Sequence, residues 1–324
     1  MSRKRTLVLA LLLLPLIQAR PAFAHGNHGG GGDAPEAGEF EFTPVITIEG
    51  HGGFENNLED DPKHYALDGL FGGVFQWGLG SGGSLSIDAA VGPSLVWGEA
   101  EHFYGIVHAD DHDDHDDHDD HDDHDDHDDD HAGHAHDHGD TSYKRTDVRG
   151  FLQVRYAPND RLSVSVDWKP YYVTRNQGDA NRGLKNEIGA EVVWALGDGD
   201  LNFSLGDGLE SLSDGLFLSL EHRQGWESDG TWVGNYTDSR VGLGFVVGED
   251  QINVKLDGGP RFYTPGSYSG LNQRTDFAGE LEVSIPVGEA TLFAHWQPTY
   301  SSVNATGWGE GWQHHVGTGL TFSF

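Results

Sequence analysis

The chain has 324 residues, a formal net charge of −34 at pH 7 and no cysteine. The charge excludes nucleic acid as a partner, because phosphate binding needs clustered Lys and Arg. The absence of cysteine excludes disulfides, thiolate metal sites and a cysteine nucleophile. Glycine is abundant, with 47 residues, as are aromatic residues at 11%, and both are common in antiparallel β proteins.

Residues 1–24 have the pattern of a secretory signal peptide. Arg3, Lys4 and Arg5 precede the apolar run 7–17, and Ala22-Phe23-Ala24 fits the cleavage site. The apolar run is too short to span a membrane comfortably. We therefore predict a mature chain that begins at His25, with a flexible Gly- and His-containing leader over residues 25–38.

From residue 39 to 324, apolar and polar residues alternate with the period of two that is typical of β-strands. In residues 162–169, for example, Leu, Val, Val and Trp alternate with Ser, Ser, Asp and Lys. Short polar turns, such as 80–83 and 248–250, alternate with longer polar connections. The longer ones lie near 54–65, 99–145, 175–184, 224–237, 264–273 and 302–311. Short turns at one end and long loops at the other are typical of a transmembrane β-barrel.

We predict an all-β fold, a single transmembrane antiparallel β-barrel of about 12 strands over residues 39–324. The alternation is weakest at 201–223, where the apolar residues change phase between Leu205 and Leu216. Two strands in this segment would give an odd total, so the segment is expected to hold one strand and an irregular insertion. The apolar phase also carries aromatic residues near strand ends, which are candidates for interfacial girdles. These are Trp77, Trp97, Trp168, Tyr172, Trp194, Trp296, Tyr300 and Trp312.

The segment 110–140 repeats Asp-Asp-His with a period of three and contains no Lys or Arg. With His108 it holds eleven of the twenty histidines in the chain. It has nothing apolar from which to form a core, so we expect a disordered loop inserted over 99–145. Its candidate metal ligands are His108, His112, His115, His118, His121, His124, His127, His131, His134, His136, His138, Asp113, Asp116, Asp119, Asp122 and Asp125.

Imidazole and carboxylate together suit zinc, and imidazole also suits nickel, cobalt and copper. A three-residue repeat that folds back supplies many overlapping sites, so several ions should bind weakly and exchange quickly. The tract resembles the His-rich loops of zinc importers and other zinc-handling proteins, which implies zinc as the metal. His25, His28, His51, His64 and His102 could add ligands. The alternatives are calcium bound by the carboxylates alone, and a low-complexity insertion without a selected function.

The polar phase of the strands should line the barrel interior with charges of both signs. Its candidate lumen-lining residues are Glu187, Glu191, Lys255, Asp257, Arg261, Glu280, Glu282 and His295, and His315 falls in the same phase. One hypothesis is structural ion pairing, and the other is a narrow channel in which Glu187, Glu191, Glu280 and Glu282 relay cations. We expect no enzymatic activity. His222 and His314 lie in the apolar phase, and the Asp and His residues of the repeat cannot preorganise water for proteolysis.

The chain ends in Leu320, Phe322 and Phe324, alternating with Thr321 and Ser323. This resembles the last strand of bacterial outer-membrane β-barrel proteins, which the barrel assembly machinery of Gram-negative cells reads. The resemblance implies an outer-membrane location with lipid as the surrounding partner. With a periplasmic N-terminus, strand parity places the Asp-Asp-His tract in the second extracellular loop. The sequence therefore predicts an outer-membrane barrel that binds divalent transition metal, for capture, buffering or passage. The alternative is a structural, adhesive or general diffusion barrel.

Overall fold

The alternating segments form thirteen antiparallel β-strands in the part of the chain that the structure describes. This computed structural model describes residues 35–56, 63–98, 143–176, 182–197, 200–202, 212–248, 252–266, 273–288, 290–304 and 310–324. The strands are β1 (Phe40–Glu55), β2 (Lys63–Gly80), β3 (Gly83–Gly98), β4 (Tyr143–Asn159), β5 (Leu162–Val173), β6 (Gly183–Ala195), β7 (Asp200–Asn202), β8 (Leu212–Trp226), β9 (Trp232–Val247), β10 (Ile252–Pro265), β11 (Arg274–Val287), β12 (Ala290–Ser301) and β13 (Gly311–Ser323). None of the described residues belongs to a helix long and apolar enough to cross a membrane.

Twelve of these strands close into a barrel. Each pairs with its neighbours along the chain, β6 pairs with β8, and β1 pairs with β13 from Val45↔Ser323 to Glu55↔Gln313. The predicted fold of about 12 strands is therefore confirmed. β7 is only three residues long and pairs with the start of β8. The segment 201–223 thus contributes one strand to the barrel, and the phase change falls between β7 and β8.

The barrel is apolar outside and polar inside. Phe71 and Phe277 are each 55% exposed on the outer face, whereas Asp147 and Asp238 are 0% and 1% exposed within the barrel. This distribution suits lipid around the wall, because exposed apolar side chains need a hydrocarbon environment and the closed sheet satisfies its backbone hydrogen bonds internally. The twelve long strands have 12 to 18 residues, which exceeds the 9–11 or so that a tilted strand needs to span a bilayer.

The two rims of the barrel differ as the sequence predicted. The short turns lie at one rim with the first residue of β1 and the last of β13. The longer β6–β8 connection, which contains β7, lies at this same rim, where the Leu201 amide donates to the Asp160 carbonyl at 2.7 Å. The other long connections lie at the opposite rim. At the Gly80–Gly83 turn, Ser81 adopts a positive φ of 52° between glycines that also have positive φ. The amide of Gly38 donates to the Gly78 carbonyl at 2.9 Å, so the end of the predicted leader lies against this turn.

One predicted loop boundary is wrong. The connection predicted near 224–237 is only 227–231, because β8 extends to Trp226 and β9 begins at Trp232. Within the predicted range, Tyr236 faces the inside of the barrel, where its ring packs against the Arg261 guanidinium. In the short true connection, the Thr231 amide donates to Asp229 at 2.8 Å and lowers the pKa of that carboxyl. The loop predicted over 99–145 agrees with the structure, in which β3 ends at Gly98 and β4 begins at Tyr143, whose ring contacts Trp97.

Aromatic side chains form two bands on the outer face. Near the short-turn rim, Phe40 and Trp77 have ring centroids 5.2 Å apart, and the rings of Phe42 and Phe75 are 4.6 Å apart. Near the opposite rim, the Trp97–Tyr143 and Tyr300–Trp312 pairs have centroids 5.8 and 5.1 Å apart. Amphipathic rings of this kind favour the two membrane interfaces, so the bands mark the height of the lipid around the barrel.

Candidate functional site

The Asp-Asp-His tract and all its predicted ligands, from His108 to His138, lie outside the described residues. The structure describes the two strands that the tract joins. β3 ends at Gly98 and β4 begins at Tyr143, and the pair Trp97↔Tyr143 closes their ladder at the rim of the long connections. The tract is therefore anchored at that rim.

The eight predicted lumen-lining residues all lie at inward-facing positions of the strands. Glu187 and Glu191 lie on β6, and Lys255, Asp257 and Arg261 on β10. Glu280 and Glu282 lie on β11, and His295 on β12. Glu187, Lys255, Asp257 and Glu282 are buried, and the other four are partly buried.

One group of these charges surrounds Arg223 of β8. Its guanidinium binds Asp167 at 2.8 Å, Glu187 at 2.6 Å and also Glu221. Gly189 provides the space, because a Cβ there would lie 2.6 Å from the Asp167 carboxylate and 3.0 Å from the guanidinium. Arg223 is 4% exposed, so each of these ion pairs is shielded from water.

A second group links β9, β10 and β11. Arg240 and Arg261 both bind Asp238, at 2.6 and 2.8 Å, while Lys255 binds Glu280 at 3.1 Å. Glu187 of the first group thus pairs with Arg223, and Glu280 of the second group pairs with Lys255. Those two carboxylates of the proposed relay therefore take part in structural ion pairs.

The opposite side of the lumen contains histidine and carboxylate groups. We call His51, His64, His295 and His315, together with Glu49 and Asp68, the histidine strip; it runs across β12, β13, β1 and β2. The ring centroid of His315 lies 5.2 Å from that of His51, 5.8 Å from that of His64 and 5.7 Å from that of His295. His51 contacts Asp68 at 3.2 Å, and His295 Nε2 lies 3.6 Å from Glu49.

Strand register brings the strip together from distant parts of the sequence. Gly53 of β1 pairs with His64 on one side and His315 on the other, and Gly317 of β13 pairs with His51 and His295. A Cβ at Gly53 would lie 2.3 Å from the His64 ring, and a Cβ at Gly317 would lie 2.5 Å from the His295 ring. The two glycines therefore make the space into which these imidazoles fold.

Sequence reasoning placed His295 and His315 in the inward-facing phase, and named His51 and His64 only as extra ligands for the tract. Glu49 and Asp68 were missed. The available signal was the inward phase of these residues combined with their similar distance from the long-connection rim. As the side chains stand, no group of three or more His, Asp or Glu among the described residues is arranged to hold a metal ion.

A closed antiparallel barrel with a lipid-facing apolar wall and an ionic lumen defines an outer-membrane β-barrel protein. Residues 209–324 match the family described as cyanophage outer membrane protein like beta barrel domain, and this match extends from the connection before β8 to the chain end. The wall and this match place the chain in the cell outer membrane. No curated protein matches the sequence.

Three solved structures of similar shape are distant in sequence. An outer membrane channel from Pseudomonas putida F1 is 11% identical with a TM-score of 0.49, over 90% of this chain and 97% of that one. The translocator domain of the autotransporter NalP from Neisseria meningitidis is 10% identical with a TM-score of 0.40, over 89% and 90%. The anion-selective porin from Comamonas acidovorans is 12% identical with a TM-score of 0.35, over 88% and 99%.

Proposed function

We propose that this barrel captures divalent transition-metal cations, zinc foremost, through the Asp-Asp-His tract and retains them at the mouth of its lumen. The observation that carries the proposal is the position of the tract's anchors. Gly98 and Tyr143 lie at the same rim as the start of β2, where His64 lies, and the start of β13, which carries His315. Imidazole and carboxylate ligands thus occur both in the tract and in the lumen that it adjoins.

The tract supplies a high local concentration of weak ligands. Its dense negative charge attracts cations, and its imidazoles select transition metals over calcium and magnesium. Metal binding requires neutral imidazole, so bound metal should be released as the pH falls through the range in which His becomes protonated. These properties suit a store that fills and empties quickly.

Zinc binding by the full-length chain in detergent tests the proposal. Equilibrium dialysis should give several Zn²⁺ ions per wild-type chain, most of which are lost when residues 110–140 are deleted. Replacement of the eleven tract histidines by Asn keeps the length and the carboxylates, and should cause the same loss. An unchanged zinc stoichiometry in both variants would overturn the proposal.

The same variants separate the alternative functions. A barrel whose acidic loop binds calcium would retain its Ca²⁺ after the His-to-Asn replacement and show little zinc binding in the wild-type chain. A barrel whose loop only solvates the surface would bind neither ion with measurable stoichiometry.

A further inference from the structure

The interior wall of the barrel is divided into two chemically different parts. Each of the long strands β4, β5, β6, β8, β9, β10 and β11 carries at least one Lys or Arg at an inward-facing position. On the described residues of β12, β13, β1, β2 and β3, the inward-facing positions carry neither residue. The histidine strip lies in this second part, although Arg149 of the neighbouring β4 reaches across to bind Asp68.

His315 is the common neighbour of the other three imidazoles of the strip. The ring centroids of those three lie 5.2 to 5.8 Å from that of His315. Two imidazoles that bind one zinc ion at about 2 Å have ring centroids roughly 5 Å apart. The ring separations around His315 are therefore close to the separation that two imidazoles adopt around one zinc ion.

Asp68 and the spaces at Gly53 and Gly317 also indicate a binding site at the histidine strip. Asp68 is 2% exposed, and its carboxylate interacts with His51, Arg149 and the Ser94 hydroxyl. Its Oδ1 is buried without a hydrogen bond of standard geometry from any described residue. A buried carboxylate oxygen without a donor is costly unless something binds it. Gly53 and Gly317 place the His64 and His295 rings where larger residues would exclude them.

We propose that the histidine strip binds one divalent transition-metal ion in the lumen, with His315 as the shared ligand. His51, His64 and His295 supply further imidazoles, and Asp68 supplies a carboxylate. The site deepens the proposed function and rests on it for the class of metal, but it uses none of the tract's residues. It gives the barrel a second binding position, on the inner side of the rim from which the tract extends.

The experiment uses the full-length chain in which the tract histidines are Asn, so that the strip is measured alone. Equilibrium dialysis against Zn²⁺ should leave about one ion per chain. His315→Asn should then weaken this binding at least about tenfold, since loss of a group that only supports a metal ligand already costs 10–100-fold. The matched control is His314→Asn, because His314 is the adjacent residue on the outer wall, where its ring packs against Trp296 and Trp312.

Gly317→Ala provides a second variant that keeps every ligand. It should weaken zinc binding as well, because the new methyl group occupies the position of the His295 ring. Heat-dependent migration on SDS gels and far-ultraviolet circular dichroism establish that each variant is a folded barrel.

The outcomes distinguish the two proposals. Absence of residual zinc in the tract variant, or equal effects of His315→Asn and His314→Asn, overturns the lumenal site. Zinc binding that is unaffected when the tract histidines are replaced overturns the proposed function of the tract. Residual binding that only His315→Asn and Gly317→Ala weaken supports the lumenal site.

Discussion

At the scale of single residues, Arg223 shows how the ionic interior depends on complete pairing. Its guanidinium forms ion pairs with Asp167, Glu187 and Glu221, and the residue is 4% exposed. Arg223→Met would leave three carboxylates in the wall without their shared cation. We expect a loss of about 3–5 kcal/mol in the free energy of unfolding, because breaking a buried ion pair leaves uncompensated charge. Urea unfolding from lipid vesicles, followed by tryptophan fluorescence, measures this loss.

Arg182→Met is the control for that prediction. Arg182 is exposed beside β6, at the long-connection rim, and the same substitution there should change stability by no more than about 0.5 kcal/mol. Equal effects of the two substitutions would contradict a specific role for the Arg223 network.

Residue identity alone did not reveal the histidine strip. The inward phase of His315 was readable, because alternation fixes which face a strand residue occupies. The proximity of His315 to His51 and His64 could not be predicted from the sequence. Those residues lie more than 250 positions earlier in the chain and approach His315 only because β13 pairs with β1. Periodicity reports the face of a strand, whereas register and closure decide which residues become neighbours.

At the scale of secondary-structure elements, alternation predicted most strands and their faces correctly. It failed in β9, where Asn235, Thr237 and Asp238 made the first half of the strand resemble a polar loop. Asp238 lies in the lumen, whereas Asn235 and Thr237 lie on the outer face near the long-connection rim, where Thr237 contacts His222 at 2.9 Å. Polar residues thus occur on both faces of a barrel strand near its rim, so polarity there does not separate a strand from a connection. Parity of the strand count was a stronger argument, because both chain ends had to lie at the same rim. It correctly required a single barrel strand over 201–223.

The same parity leads to a prediction for the element that joins β3 and β4. If the short turns face the periplasm, the tract lies outside the cell. An epitope tag inserted between Gly133 and His134 should then bind antibody on intact cells. A tag in the turn between β9 and β10, at 249–251, should be reached only after permeabilisation. The reverse pattern of labelling would show that the barrel has the opposite orientation and that the tract faces the periplasm.

At the scale of the whole molecule, twelve strands and an interior wall lined by ion pairs predict a narrow lumen. The lumen of a twelve-strand barrel is smaller than that of a sixteen-strand porin, and the Arg223 and Arg240 networks extend into it. We therefore expect the full-length chain in a planar bilayer to give small conductance steps. The histidine strip lies in the part of the wall where the described inward-facing positions carry no Lys or Arg, so cations should carry most of the current in a salt gradient. Large steps or anion selectivity would contradict this description of the lumen.

Zinc links this current to the lumenal site. Zn²⁺ bound by the histidine strip through His315 places positive charge in the narrow lumen. In a potassium salt, it should therefore reduce the current through the barrel reversibly. His315→Asn should abolish this inhibition, whereas His314→Asn should retain it, because the two histidines lie on opposite faces of β13. The recordings are made with the tract histidines replaced by Asn, so that the tract cannot bind the added zinc. Inhibition that persists in His315→Asn would show that zinc acts outside the histidine strip, and would separate conduction from metal binding in this barrel.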